Sequence, residues 1–436
     1  MSPSSLALLD VLLQMGGAFP LMVLITYRDE TSVEGRWENL PNVVDLPLDP
    51  FPSSTMRILV QHLFHERPLP AEVRDWVVLR SRGLPLFATE AVRTLIDSGI
   101  LHRHEDSWEL TGSLTNFPLP DMVYSLIQSR IDQLSPPNRH LLRAASVVGN
   151  EMNLSMLVAA YGDESLSAVR RRLPALLPFG LVPREVQGRI LSFHQPLVRE
   201  VAYRGLPQRV KRLIHRRISE YLDYSKEEAM PNWLNLLAYH ALEGHLWDKA
   251  LRANLELGKR ALQAYLVSQA AEAFRNVLVA ADSGGLDAPG ARFEAHHLLG
   301  ETLILLGEYE EAHLHLDQAR RSLPPSPTQL EDWVRLADLE YHQAMLSEAE
   351  GHYEQALEVV VRGLSLPGID KTLEGLRLYL LGADLFRRSR DYQQAQAWAQ
   401  RGVALSTHFA TPEAQQLRSR AMYMLALLSS LQRLQK

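Results

Sequence analysis

The sequence predicts a mainly α protein with a short α/β stretch at its front and a helical solenoid at its rear. Three observations carry this. GEYEEA (307–312), EGHYEQA (350–356) and SRDYQQA (389–395) each place a tyrosine three residues before an alanine. From Asp49 onward the punctuation is that of helices. Ahead of it, PLMVLITYRDE (20–30) is a continuous apolar run of strand length whose lack of alternation suits a strand covered on both faces. A length of 436 residues, at roughly 150 residues per domain, sets an expectation of about three domains.

Composition narrows the class. With 46% hydrophobic, 22% charged and 7% aromatic residues, the chain lies in the ordinary globular range. A formal net charge of -6 and a pI near 6.3 give no global field for nucleic acid or an anionic membrane. Zero cysteines exclude disulfides, thiolate zinc sites and a cysteine nucleophile, and suit a reducing compartment. The first residues carry no basic leader, and no apolar run approaches the roughly 18 residues of a membrane span. The expected location is the cytoplasm.

Taken in order, SSLALLDVLLQM (4–15) reads as a helix with Ser4 or Ser5 as cap and Leu6, Leu9, Leu12 and Leu13 on one stripe, stopped by Gly16 and Gly17. NVVDLPL (42–48) reads as a second strand. One helix and two strands cannot bury a sheet on both sides, so either the missing strands come from another chain or the frame begins inside a domain. Next come PFPSSTMRILVQHLF, with Ser53 or Ser54 as cap, then EVRDWVVLRSR, GLPLF and ATEAVRTLIDSG, which Gly99 stops. ILHRHEDSWEL (100–110) reads as a hairpin with HED as its turn and Trp108 packing back, and NFPLPD as a linker.

Helices follow at 121–134, over SPPNRHLLRAASVVG and over NLSMLVAAYG. ESLSAVRRRLPALLPFG then ends at Gly180, and LVPREVQGRILSF forms two strands around Gln187 and Gly188. These are the elements of a winged helix. The amphipathic RVKRLIHRRISEY reads as a cap on the junction with the repeats. In HLLGETLILLGEYEEAHLHLDQARRSLPP, small residues at Gly300 and Ala319 and a stop at Pro324 complete a tetratricopeptide-like pattern. Its signature residues are Gly300, Tyr309, Ala312, Tyr353, Ala356, Tyr392 and Ala395. Alanine separations of 44 (356−312) and 39 (395−356) exceed the nominal repeat of about 34. GHLWDKA (244–250) is a degenerate earlier copy and AAEAFRNVL (270–278) resembles a second helix.

The order PSSLALL, LITYRDE, GLPLF, FPLPDMVYSLIQSRIDQLS, FHQPLVREVAY and then repeat helices resembles the multidomain regulatory NTPases of the STAND group. Those include LuxR-type regulators, regulators resembling the maltose activator, and soluble cyclases or kinases carrying an ATPase and repeat module. The resemblance covers nearly the whole chain and implies a division into four parts. Residues 1–48 are the rear of an α/β ATPase core, 49–118 a helical lid, 119–206 a winged helix and 207–436 an α-solenoid of tetratricopeptide-like repeats. It also implies that Met1 falls just past the magnesium-binding acidic strand, that Arg28 stands where the family senses the γ-phosphate, and that Pro85 packs on the adenine or ribose of ADP. A guanidinium suits phosphate oxygens through forked, charge-assisted bonds, though a strand-end arginine is equally a surface residue. Gly83 permits a tight turn and Pro85 presents a rigid apolar face, which a plain inter-helix turn would also use.

The sequence contains no GxxxxGK[ST] phosphate cradle; LGKRAL around Lys259 lacks the first glycine and the hydroxyl. No catalytic residue is assigned, autonomous hydrolysis is not expected, and ATP or ADP is a cofactor only if a separate phosphate-binding region complements the chain. His296, His297, His313 and His315 form the densest histidine group, yet adjacent positions face different ways, so surface or interhelical histidines are expected and no metal site. Arg170, Arg171 and Arg172 lie on the helix that would enter a DNA groove. They splay around it while Val169, Leu173, Leu176 and Leu177 form its buried stripe, and the acidic total argues against nucleic acid. The expected function is non-catalytic regulation, with a protein, peptide or small effector bound through the repeats and no membrane. The alternatives are the second half of a split ATPase or cyclase-type regulator, with that domain as partner, and a DNA-binding regulator.

Overall fold

The computed structural model describes residues 9–10, 12–13, 22–26, 37, 44, 46–64, 67–104, 107–112, 114, 123–162, 164–183, 190–225, 232–324 and 327–434. Two compact units divide the chain, Met1–Lys226 and Glu227–Lys436, and among the described residues both are mainly helical. No helix among those residues is long and apolar enough to cross a membrane.

At the front, residues 9–10 and 12–13 are helical, as the leucine stripe predicts. Leu9, Leu13 and Ile25 pack on Trp37, whose indole N–H donates to Asp10 at 2.7 Å. Of the two expected strands, the described residues 22–26, 44 and 46–48 carry no strand pairing, and Met22, Leu24, Leu46 and Leu48 are exposed. An apolar run becomes a buried strand only where neighbours accept its backbone bonds, and no described residue pairs with it.

Helices α1 (Ser53–Leu63), α2 (Ala71–Ser81) and α3 (Pro85–Asp97) follow, with the hairpin β1 (Leu101–His104) and β2 (Ser107–Leu110). Met56, Val60, Phe64, Val73, Val77, Leu95 and Leu101 fill the core between them. Ser53 and Ser54 do not cap α1. Pro52 occupies that position, and its carbonyl accepts from Met56. The hairpin pairs Leu101 with Leu110 and Arg103 with Trp108, and Trp108 meets Phe64 edge-on at 5.2 Å, the packing-back expected of it.

The next layer comprises α4 (Val123–Gln133), α5 (Pro136–Val148), β3 (Glu151–Asn153), α6 (Leu154–Tyr161), α7 (Leu166–Arg172), a 3₁₀ turn (Leu173–Phe179), β4 (Leu181–Pro183), β5 (Ile190–Phe193), α8 (Pro196–Arg204) and α9 (Gln208–Ser225). Its antiparallel sheet has the order β3-β5-β4. The third strand, β3, was not expected from sequence; it ends at Asn153, whose side chain accepts from the Met156 amide and starts α6. The helix after Val169 tightens into the 3₁₀ turn, which shifts the phase of its side chains. Leu173 and Leu176 are therefore buried as expected, and Leu177 is exposed.

Helix α9, placed by sequence on the repeat side of residue 207, belongs to the first unit. It buries Ile214, Ile218 and Leu222 while packing on α5 and α6, and Arg217 donates to the Tyr161 carbonyl at 3.1 Å. Inside this contact His215 is fully buried, and burial, aided by the Lys211 ammonium, pulls it down to about 4. Its ring faces the Tyr203 hydroxyl. Between about 6.5 and about 4 the unfolded chain therefore binds the proton that the folded one refuses, so stability is lost as pH is lowered through that window. The full effect of such a displacement is about 3 kcal/mol. Denaturant midpoints at pH 7.5 and 5 are expected to drop less in His215→Gln than in the wild type; equal drops would count against this assignment.

The second unit is a stack of helices: α10 (Trp233–Glu243), α11 (Trp247–Gln263), α12 (Val267–Ser283), α13 (Pro289–Leu306), α14 (Tyr309–Arg321), α15 (Leu330–Ala349), α16 (Tyr353–Leu364), α17 (Leu373–Arg388), α18 (Tyr392–Ser406) and α19 (Pro412–Leu434). Each packs on the next. In addition α11, α13, α15, α17 and α19 touch in succession, which makes them the first helices of successive pairs.

The repeat is written in the backbone. His245, Tyr265, Gly307, Gly351 and Arg390 all have positive φ, and each stands two residues before a helix. The residue after each donates back to a carbonyl five positions earlier, as Glu308 does to Leu303 and His352 to Ser347. This is the 6→1 bond that closes a helix C-terminus through a left-handed residue. Three positions into each new helix stands a fully buried alanine: Ala250, Ala270, Ala312, Ala356 and Ala395.

Glycines set the approach within pairs. A methyl group on Gly258 would lie 2.5 Å from Phe274, on Gly300 2.6 Å from Leu316, and on Gly382 2.4 Å from Trp398. Of the signature tyrosines, Tyr309 and Tyr392 pack against the core clusters. Tyr353 is 38% exposed, with Arg388 over its ring.

Candidate functional site

In the first unit the turn expected at GLPLF is present. Gly83 is buried at φ 80, and a Cβ there would meet the Phe51 carbonyl oxygen at 2.6 Å, so the position requires glycine. The Phe51 amide donates to the Gly83 carbonyl at 2.8 Å. Pro85 opens α3 with an exposed ring. Arg28 lies outside the described residues.

Close to this turn, α3 carries a buried charge network that sequence reasoning missed. Glu90 is 0% exposed and Arg130, on α4, 2%. The Arg130 guanidinium pairs with Glu90 and, at 2.9 Å, with Asp97. Arg93 takes the other Glu90 oxygen at 2.9 Å and reaches Gln195 at 3.4 Å. The Arg130 guanidinium carbon lies 4.9 Å from the centre of the Phe179 ring. The network thereby joins α3 to the α4–α8 layer through Arg130 and Arg93.

On α7, Arg170 and Arg171 are exposed, whereas Arg172 is held by Glu164 at 3.0 Å. Two of the three expected groove-facing arginines thus remain at the surface, on a helix of 7 residues.

The second unit contains a polar ladder across its first helices. Lys259 on α11 pairs with Glu294 on α13 at 2.6 Å. His297 of α13 brings Nε2 to 2.9 Å from Nδ1 of His342 on α15. Asp338, one turn before His342, places Oδ2 3.7 Å from His297 Nε2 and Oδ1 3.8 Å from His342 Nδ1. Glu301 stands 3.6 Å from His342 Nε2. Arg377 on α17 donates to Asp338 Oδ1 at 3.2 Å and pairs with Glu413 on α19.

Both imidazoles are almost fully buried, while the Glu301, Asp338 and Arg377 side chains keep between 25% and 29% of their surface. Burial, reinforced by His342, pulls His297 down to about 4. It also lowers His342 and raises Glu301.

The histidine group picked out by sequence is split in the fold. His296 pairs with His315 at 2.9 Å, beside Glu311, and His313 contacts Glu350 at the surface. His342 was overlooked, although Asp338 and His342 have the i,i+4 spacing that puts two groups on one helix face.

No family model matches the chain. An uncharacterized protein of Rhizobium meliloti (strain 1021) is 26% identical over 263 residues, which are 59% of this chain and 25% of that protein. The chain thus spans about a quarter of that relative's length. Among solved structures, a STAND protein with a tetratricopeptide repeat sensor from Pyrococcus horikoshii is similar at 14% identity and a TM-score of 0.36. That match covers 91% of this chain and 60% of the other.

Proposed function

We propose that the chain is a non-catalytic regulatory protein whose repeat unit holds a protein or peptide partner along the face of its first helices. The observation that carries this reading is the ladder itself. Stacked helix pairs commonly offer one extended face to a peptide, and here that face bears a row of half-exposed charges from Lys259 to Glu413. Charges set in a row on a rigid support select a partner by complementarity and orient it more than they tighten it.

In this reading the first unit couples the partner's presence to a second interdomain arrangement. The α4–α8 layer serves as a winged-helix coupler, and Gly83 and Pro85, with Arg28, are vestiges of nucleotide sensing. Differential contact with two arrangements is all that such a switch requires.

Panning a displayed peptide library against the purified chain, then measuring affinities by fluorescence anisotropy, tests the proposal. Enriched peptides are expected to lose at least tenfold in affinity to Arg377→Glu, with the fold checked by circular dichroism. Failure to enrich, or equal affinity in a folded variant, would refute it. Calorimetry with ATP or ADP is expected to show no micromolar binding; finding it would favour the split-ATPase reading. A gel shift with duplex DNA that weakens steeply with salt would favour the nucleic-acid one.

A further inference from the structure

We propose that His297, Asp338 and His342 form a binding site for one divalent first-row transition ion of the zinc class, which ties α13 to α15. The donor atoms of the three residues all lie within 4.8 Å of one another, and two imidazoles with a carboxylate are a donor set that such ions prefer. Nε2 of His297 and Nδ1 of His342 are 2.9 Å apart. Asp338 supplies Oδ2 on the His297 side.

Each of two donors has an outer partner of the kind that orients a ligand. If Nδ1 of His342 faces the ion, its Nε2 carries the proton, and the Glu301 carboxylate is 3.6 Å from that atom. The Arg377 guanidinium holds Oδ1 of Asp338 at 3.2 Å and leaves Oδ2 toward His297. Carboxylate-to-histidine contacts of this sort fix ring orientation and raise ligand basicity. Arg377 is a nearby cation that opposes an ion, and its pairing with Glu413 offsets that charge.

The competing description, with no ion, has Nδ1 of His342 protonated and its N–H directed at the Asp338 backbone carbonyl oxygen and at Nε2 of His297, each 2.9 Å away. The two differ in a titration. Full-length chain, stripped with chelator, is titrated with cobalt(II) and followed by its visible d–d absorption, then back-titrated with zinc. One equivalent is expected to bind at micromolar or tighter affinity, zinc to displace it, and the melting temperature to rise with zinc by mass action.

His297→Gln and His342→Gln, each verified as folded, are expected to lose at least tenfold in affinity, and Glu301→Gln about tenfold. His296→Gln and His315→Gln, at the other histidine pair, are expected to bind as the wild type does. The proposal fails if stripped wild type shows neither absorption nor thermal shift. It fails equally if the His297 and His342 variants bind unchanged, or if affinity is lost only with His296 or His315.

Discussion

Replacement of Arg130 by methionine is expected to destabilise the first unit by about 3–5 kcal/mol, the usual cost of stranding one partner of a buried ion pair. Methionine keeps most of the side-chain volume, so the loss measures charge rather than a cavity. Glu90, with no exposed surface, would keep only Arg93, whose side chain is 36% exposed and so contributes on the scale of a surface pair. Asp97 and the Phe179 ring would lose their cation as well.

The decisive comparison is with Glu90→Leu/Arg130→Met, which removes both charges. Because a matched buried pair is often no more stable than apolar residues of similar volume, the double variant is expected to recover most of the loss. Urea denaturation of the three proteins reads this directly. A single variant within about 1 kcal/mol of wild type would mean that the pair behaves like a solvated one. A double variant no better than the single would mean that the network is held by contacts other than charge.

The parts of this fold that were legible in the sequence are those where a small residue recurs at a turn or a close helix contact. Gly307 and Gly351 take the left-handed turn, Ala312, Ala356 and Ala395 fit against neighbouring helices, and all five are visible as repeats. The same turn is made by His245 and Tyr265, where the early copies were faint, and by Arg390, whose copy SRDYQQA was legible through Tyr392 and Ala395. At Gly83 a Cβ would meet the Phe51 carbonyl oxygen at 2.6 Å, so that turn also asks for glycine. What sequence does not contain is the partner. The run from Pro20 to Glu30 has the apolar content of a buried strand, yet content cannot say whether a neighbouring strand is there to accept its bonds.

Nor does anything in VYSLIQSRIDQ distinguish Arg130, at the centre of a core, from an arginine on a solvated face. The ladder shows an intermediate case. Asp338 and His342 are one turn apart and could have been found by a search for mixed carboxylate–imidazole spacing. His297, by contrast, lies 45 positions earlier in the chain, and only the stacking of first helix on first helix brings it to them. Pairwise chemistry within a helix is written locally, and chemistry between repeats depends on a repeat length that varies here.

Phe274→Ala is expected to give the largest loss in the repeat unit, about 3–5 kcal/mol, as for other fully buried aromatics. Phe274 is 0% exposed and lies in the cluster formed with Ala261, Phe293 and Leu299. Its ring fills the space that the missing side chain of Gly258 opens, where an added Cβ would stand 2.5 Å from it. Gly258→Ala alone should therefore cost about 1–3 kcal/mol through overpacking.

The two changes are predicted to be non-additive. Once the ring is gone, the methyl at 258 enters vacated space, so Gly258→Ala/Phe274→Ala should be more stable than the sum of the singles implies by at least about 0.5 kcal/mol. Chemical denaturation of the four proteins in the cycle would reveal this coupling. Strict additivity would show that the glycine is there for helix flexibility or solvent exposure and not to admit the ring. The pairs Gly300 with Leu316 and Gly382 with Trp398 repeat the geometry, so the coupling found at one pair should reappear at the others. Three of the helix pairs, α11–α12, α13–α14 and α17–α18, are thus closed by one large side chain set against one glycine.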